Sequence, residues 1–201
     1  MSVKWKTKTN RLPEIAKTLE GLNGKKVKVG AFNGDHAWLA GIHEHGAHIK
    51  AKKSKYLTVP VCPEAAGKKA SDFSNLFVYT SKEGNKMLAR NEGGELKFYY
   101  WLTPSVEIPE RAFLKNGHDA NAERVLRQTE RMLSRVIAGE KTIDDVLNAY
   151  GQQMATAIKL YMRDLTNPSN NPITVENKGD DNPLIGKTKG LHNSIDFKVE
   201  G

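Results

Sequence analysis

The sequence predicts an α+β fold in which a mostly antiparallel sheet packs against two long antiparallel helices and carries an inserted β-hairpin module. Three observations lead to this prediction. Two long stretches, at about 118–138 and 142–165, repeat apolar residues at the spacing of one helix face. Segments near both ends alternate apolar and polar residues as strands do, and residues from about 50 to 105 form short β-type runs separated by turns. We therefore expect residues 1–201 to form a single domain.

The first elements are predicted to be a short helix, a strand and a second short helix. Residues 12–22 place leucines and an isoleucine on one helix face. Residues 26–32 then alternate lysine with small apolar residues, which is typical of a strand with one face in water. Asp35 is suited to begin a helix that Gly46 ends.

The insertion, from about 50 to 105, is predicted to be a set of hairpins. Its β-type runs are YLTVPV, LFVY, MLAR and LKFYYWL. Turn-like sequences rich in Gly, Asn and charged residues separate these runs, as at 82–85 and 91–94. A further short strand, SVEI, follows Pro104.

The last third of the chain contains the two long helices, a polar segment and a final strand. Thr142 and Asp145 resemble a capping box at the start of the second helix. Because neither apolar stripe can face water, we expect both helices to cover the sheet or each other. The segment at about 167–183 is rich in Pro, Asn and Gly, so we expect a mobile loop rather than a regular element. Residues 194–200 alternate as a strand does.

The composition excludes several classes of protein. Cys62 is the only cysteine, so one chain can form neither an intramolecular disulfide nor a thiolate zinc site. No apolar run approaches the roughly 20 residues of a membrane helix, and the basic N-terminus leads into no apolar signal segment. We therefore expect a soluble protein of a reducing compartment that does not contact a membrane.

The charge balance is basic, with 31 Lys+Arg against 23 Asp+Glu and a net charge of +8. Basic residues cluster at Lys68–Lys69, within 50–55, and near the N-terminus at Lys4, Lys6, Lys8 and Arg11. Such a balance favours contact with phosphate groups, but no regular series of aromatic residues accompanies the lysines as a base-stacking platform would need. Two interpretations stay open: a solvated surface or rim that faces an acidic protein, and DNA contact through Lys50, Lys52, Lys53 and Lys55.

The segment IHEHGAH, residues 42–48, gathers three histidines and a glutamate. A zinc-hydrolase helix needs two histidines four positions apart, and the fourth position after His43 is Ala47. The spacing therefore argues against a metal centre. A metal-dependent hydrolase that uses His43, Glu44 and His48 stays an alternative.

Other catalytic patterns are missing from the sequence. It has no phosphate-binding glycine loop, no G-x-S-x-G turn and no visible partner that would activate Cys62. The carboxylate pairs at 144–145 and 180–181 are explained by a helix start and a polar loop. The sequence therefore predicts no catalytic residue, no bound cofactor and no metal ligand.

Four local patterns, in this order, resemble the tail-component family of long-tailed bacteriophages, also described as head–tail joining or tail-completion proteins. The first is VKVGAFN at 27–33 followed by AWLAGIHEHG at 37–46, which is similar to the strand, turn and I-H-E-F-G helix of the family. The second is IPERAFL at 108–114, similar to I-P-x-R-P-F-L. The third and fourth are NPITVENKG at 171–179 and PLIGKTKGLHNSI at 183–195.

The sequence departs from the family's pattern at several positions. Ala112 stands where the family has proline, and His45 where it has phenylalanine. Residues 186–189, Gly-Lys-Thr-Lys, stand where the family has a tighter Asp-Thr-Gly turn. The block at about 50–105 resembles the extra β-hairpin module of one subgroup.

The resemblance implies a non-enzymatic virion protein at the neck or proximal tail, assembled in the host cytoplasm. It implies a ring of copies that contacts other neck and tail proteins, with non-specific DNA contact in the lumen through the lysines at 50–55. The hairpins (76–102) and the polar segment (167–183) are the candidate interfaces. The candidate interface residues are Phe98, Tyr99, Tyr100, Trp101, Asn171, Pro172 and Lys178. The residues expected to anchor the fold are His43, Glu44, Gly46, Pro109, Arg111, Phe113, Leu114, Gly190 and Ser194.

Overall fold

The computed structural model of the protein describes residues 12–201, and the N-terminal basic cluster lies outside them. The α+β prediction is confirmed, and every strand pair in the described chain is antiparallel. The helices are α1 (Leu12–Glu20), α2 (Gly34–His45), α3 (Phe113–Asp119), α4 (Ala122–Ile137), α5 (Ile143–Asp164), α6 (Pro172–Lys178) and α7 (Gly190–Ser194). The strands are β1 (Lys26–Ala31), β2 (Ala47–Lys50), β3 (Leu57–Pro60), β4 (Phe77–Thr80), β5 (Lys86–Glu92), β6 (Glu95–Thr103), β7 (Ser105–Ile108) and β8 (Ile195–Glu200). Two short 3₁₀ helices, Pro63–Ala65 and Ala70–Asp72, lie between β3 and β4.

The strands form three sheets, so the hairpins do not join the sheet that packs against the long helices, although the sequence analysis expected them to. β1 pairs with β8, β2 pairs with β7, and a four-stranded sheet has the order β3-β6-β5-β4. The hairpins pair with one another, which leaves only β1 and β8 beside the long helices. We call residues 51–104 the inserted module and the other described residues the body. The β2–β7 ribbon is where the chain leaves the body and returns to it.

The core of the body lies where α5 packs against the β1–β8 ribbon, α3 and α4. Val125 of α4 shares this core with Ile158, whereas Val136 packs with Ile143 at the other end of α5. The two long helices therefore run antiparallel, as predicted. Gly151 of α5 allows the closest contact with the ribbon, because a Cβ there would lie 2.2 Å from the ring of Phe197.

The region predicted as one helix at 118–138 contains two helices, α3 and α4, and the first of them begins earlier. The chain turns at Asn121, whose side-chain amide donates to the Gly117 carbonyl at 2.9 Å. The capping box at Thr142 and Asp145 is present at the start of α5. Among the helices within residues 12–201, none has both the length and the apolar character that a membrane crossing requires.

The inserted module has a core of its own on one face of its sheet. Tyr99 and Tyr100 are 2% and 1% exposed there, with Cys62 and Phe73 beside them. The register skips Tyr99, since Leu88 pairs with Tyr100 and the next residue pairs with Phe98. This bulge lets two consecutive tyrosines join one core, which a regular strand does not allow.

The opposite face of the module's sheet carries a row of half-exposed apolar residues. The row crosses all four strands, because Val59 pairs with Trp101, Trp101 with Met87 and Met87 with Tyr79. The rings of Tyr79 and Phe98 lie 5.3 Å apart on this face.

The polar segment at 167–183 contains a regular element that the sequence analysis did not predict. Helix α6 begins after Asn171, whose side-chain oxygen accepts from the N–H of Ile173 at 3.0 Å. Pro172 occupies its first turn and Gly179, with φ 70, ends it. Asn177 then donates to the carbonyl of Pro60 at 3.0 Å, which links α6 to strand β3 of the module.

Candidate interaction site around Arg111

Glu44, on the last turn of α2, ties this helix to α3. Its buried carboxylate accepts the backbone N–H groups of Leu114 at 2.8 Å and Lys115 at 2.9 Å. These amides belong to the first turn of α3 and have no partner within that helix. A carboxylate on them satisfies the donors and favours the positive end of the helix. The predicted anchoring role of Glu44 therefore has a defined geometry.

Arg111 is 5% exposed and binds the segment that follows α5. Its guanidinium donates to the carbonyl of Pro168 at 3.1 Å and to the side-chain oxygen of Asn170 at 3.1 Å, with a longer contact to the carbonyl of Ser169. Burial lowers the pKa of Arg111. Because these acceptors are neutral, the positive charge of Arg111 is held by dipoles and not by a carboxylate.

His43 completes this arrangement as a neutral side chain. Its Nδ1 atom lies 3.1 Å from Nη1 of Arg111, and since the guanidinium can only donate, Nδ1 accepts. Burial, and then the charges of Arg111 and Lys178, lower the pKa of His43 to about 4. The predicted role of His43 and Arg111 in anchoring the fold therefore takes the form of a side-chain hydrogen bond.

The geometry does not support the metal-dependent hydrolase. His43 accepts from Arg111 and Glu44 is committed to α3, while exposed His48 lies 3.0 Å from Glu107 on the neighbouring strand β7. Within residues 12–201, no three His, Cys, Asp or Glu side chains form a group that could hold a metal ion.

Asn182 is a central residue that the sequence analysis missed. Its side-chain amide donates to the carbonyls of Met162 at 3.0 Å and Arg163 at 2.9 Å, at the end of α5. Its side-chain oxygen accepts from the N–H groups of Leu184 and Ile185 at 2.9 and 2.7 Å. The segment contains several asparagines, all suited to turns, so the sequence carries no signal that separates Asn182 from the others.

The two predicted anchoring glycines lie where chain segments approach closely. Gly46 has φ 70, and a Cβ there would lie 2.9 Å from the carbonyl oxygen of Ile108 and from the N atom of Glu110. A Cβ on Gly190 would lie 2.8 Å from the His36 ring. Gly46 thus permits contact between the first and second sequence patterns, and Gly190 permits contact between the fourth pattern and helix α2.

The other predicted anchors also lie in this region. Phe113 is fully buried in the body core and Leu114 packs against that core. Ser194 donates to the carbonyl of Leu191 at 2.7 Å, and exposed Pro109 lies beside the Arg111 site. Ala112 has φ 36 and its N–H donates to the Glu44 carbonyl at 3.3 Å. A proline at this position could adopt neither feature, because its φ is fixed near about −65° and it has no N–H.

A cleft of about 440 Å³ separates the module from the body at this point. Val59 and Trp101 line its module side, and Ile108, Arg111 and Ile173 line the body side. We call it the Arg111 cleft. It is largely apolar, with amide and hydroxyl groups near the guanidinium, and Glu107 also lines it. A second cavity, of about 390 Å³, shares His43 and Asn170 with it.

The structure divides the predicted interface residues into two groups. Tyr99 and Tyr100 were assigned to an interface, but they are buried in the module's own core because of the bulge in its sheet. Lys178 is half-buried and donates to the Asn182 carbonyl of the same chain. Phe98 and Trp101 are half-exposed on the other face of the sheet, and Asn171 and Pro172 are exposed at the start of α6.

The lysines predicted to face DNA lie together on an exposed link. Lys50 ends β2, and Lys52, Lys53 and Lys55 follow on the irregular connection to β3. All four side chains are exposed.

Comparisons of the chain with protein-family models, with curated proteins and with solved structures found no match.

Proposed function

We propose that this protein is a non-enzymatic structural subunit of a phage or prophage neck or proximal tail, which acts in head–tail joining or tail completion as part of a ring. The observation that carries the proposal is the convergence of the four sequence patterns on the Arg111 site. Glu44 of the first pattern binds the α3 amides beside the second, and Ile173 of the third lines the Arg111 cleft. Leu184 and Gly190 of the fourth line the second cavity together with Leu39 and His43 of the first. Patterns that are distant in sequence thus form one structural unit.

The site is suited to holding parts of the chain together and to receiving a protein surface. The buried polar groups of the described site are occupied by backbone amides and carbonyls, as the contacts of Glu44, Arg111 and Asn182 show. The apolar walls of the Arg111 cleft offer the kind of surface that a neighbouring subunit can fill. A ring forms when such a surface contacts a different patch of the next copy and the rotation closes.

The proposal is tested by the mass and shape of the purified protein. We expect light scattering and native mass spectrometry to give a multiple of the chain mass, and negative-stain images to show closed rings. The Ile173→Asp variant, which places a charge in the cleft, should shift the mass toward the monomer. Lys187→Asp changes an exposed residue in the same part of the body outside the cleft and serves as the control. A protein that stays monomeric over about a hundredfold range of concentration would contradict the ring.

A second candidate function is DNA binding, which is favoured by the four exposed lysines on one link. Replacing Lys50, Lys52, Lys53 and Lys55 by alanine should then reduce the slope of log affinity against log salt by about 3 to 4 for duplex DNA. The matched control removes the same number of exposed but scattered charges, at Lys17, Lys82, Lys115 and Lys187. Equal slopes for the two variants would exclude a dedicated DNA surface on this link.

A further inference from the structure

The edge of β4, the last strand of the module's sheet, lacks the usual protection. β4 is hydrogen-bonded to β5 on one side and ends the strand order on the other. Its sequence, Phe-Val-Tyr-Thr, has no charged residue and no proline, and Phe77 and Val78 are 45% and 58% exposed. Sheet edges are normally blunted by a short strand, lysine, proline, a bulge or a covering element, and of these β4 has only its length of four residues.

The opposite edge of the same sheet is protected. Strand β3 ends at Pro60, whose ring removes one hydrogen-bond donor. Asn177 of α6 donates to the Pro60 carbonyl at 3.0 Å, so the body contacts the end of this edge. Because the body lies beside β3, it leaves the β4 edge accessible. The contrast between the two edges indicates that β4 is the one prepared for a partner strand.

We propose that β4 pairs with β4 of a second copy of this chain, in antiparallel orientation about Val78, so that the two four-stranded sheets become continuous. This register places Val78 opposite Val78 of the second copy, and Phe77 opposite Tyr79 on both sides of it. Phe77 and Tyr79 lie on one face of the sheet, because alternate residues of a strand share a face. Cross-strand aromatic pairs of this kind stabilise sheets.

The side chains of β4 suit the antiparallel orientation. It places the ring of Phe77 in one copy against the ring of Tyr79 in the other. The charges after the strand do not oppose this contact, because exposed Lys82 and Glu83 are adjacent and opposite in sign. The pairing also extends the apolar row that already crosses the four strands through Trp101 and Met87.

This contact goes beyond the proposed function, since it does not depend on a place in a neck or tail. A contact about a two-fold axis uses the same patch on both copies and joins them in pairs. A ring uses two different patches. A ring whose subunits also pair through β4 would therefore contain an even number of copies, for example as two rings face to face.

The test uses opposite charges at the position on the two-fold axis. Val78→Lys and Val78→Glu each place like charges opposite one another, so each variant alone should have half the mass of the wild-type assembly in native mass spectrometry. An equimolar mixture of the two variants should restore the full mass. Thr58→Lys places the same charge on the exposed face of the protected edge strand β3 and should leave the mass unchanged. Far-UV circular dichroism establishes that each variant is folded.

Two further measurements hold even if a charged variant does not fold. In the wild-type protein, the amides of 77–80 should exchange more slowly with solvent at high protein concentration than at low concentration. Val78→Cys should form a disulfide between copies on mild oxidation, while native Cys62 is buried in the module core. Variants with the wild-type mass, a mixture that does not recover it, or 77–80 amides that exchange at the same rate at all concentrations would overturn the proposal. A wild-type dimer that forms no ring would support it and count against the ring alone.

Discussion

The body and the inserted module both use antiparallel strands, but they fill their cores in different ways. The body surrounds α5 with a two-stranded ribbon and two helices, and it binds its connecting segments through buried polar side chains such as Glu44 and Arg111. The module covers one face of a four-stranded sheet with its own connection at 62–76 and leaves the other face half-exposed. The body is therefore built for a fixed internal geometry, whereas the module has one sheet face open to solvent.

The largest expected effect is on the body core. Phe113 is fully buried there at the start of α3. Phe113→Ala should lower the free energy of unfolding by about 3–5 kcal/mol, measured by urea denaturation followed by the far-UV circular dichroism of the helices. Leu126→Ala, on the exposed side of α4, is the control and should cost less than about 1 kcal/mol. Equal losses for the two variants would show that α3 is not part of the central core.

A matching change in the module tests whether its core is independent. Tyr100 packs with Cys62 and donates its hydroxyl to the Lys68 carbonyl at 3.0 Å. Burial raises the pKa of the Cys62 thiol, so we expect slow reaction with a thiol reagent in the wild type. Tyr100→Ala should accelerate that reaction about tenfold or more through local opening. The urea midpoint followed by the circular dichroism of the helices should change less than in Phe113→Ala. An equal change would show that the two cores unfold as one cooperative unit.

The carboxylate of Glu44 provides the next test of the body's polar connections. Glu44→Gln keeps the size of the side chain but replaces a charged acceptor of two amides with a neutral one. We expect a loss of about 1.5–3 kcal/mol in the free energy of unfolding. Glu110→Gln, at an exposed position nearby, controls for the loss of one negative charge. A Glu44→Gln protein as stable as this control would show that the carboxylate does not hold α3.

The most gradual expected effect is a pH dependence that arises in the body and not in the module. The folded-state pKa of His43 is about 4, below its ordinary value of 6.5. Between these values the unfolded chain binds a proton that the folded chain does not, so stability falls as pH decreases from about 6.5 to 4. The slope from this one proton is at most about 1.4 kcal/mol per pH unit. His43→Asn should flatten the profile, and an unchanged profile would assign the pH dependence to other groups.

Periodicity predicted most of the helices and strands, because one apolar face is enough to define them. The stripes of α4 and α5 and the capping box at Thr142 were read from spacing alone, and so was the strand alternation of β1 and β8. Helix α6 was missed because its polar sequence resembles a loop and it has no buried residue. Its start depends on the Asn171 cap and on Pro172. These signals do not stand out, because the segment contains several other asparagines and prolines.

The candidate site was only partly predictable. Glu44, Arg111 and Gly190 were identified from sequence patterns, but their partners come from distant parts of the chain. The role of Asn182 and the burial of Tyr99 depend on contacts between distant residues, which the spacing of residues in the sequence does not reveal.

By itself, the sequence determined the α+β composition, the antiparallel helix pair and the positions of the hairpins, since these follow from local periodicity and turn chemistry. Only the tertiary structure decided how the strands divide into three sheets, which tyrosines are buried and which sheet edge is open. The physical reason is that a strand's partner and its buried face depend on which distant segments exclude water from it. A one-residue bulge, as at Tyr99, changes the side to which the following side chains point.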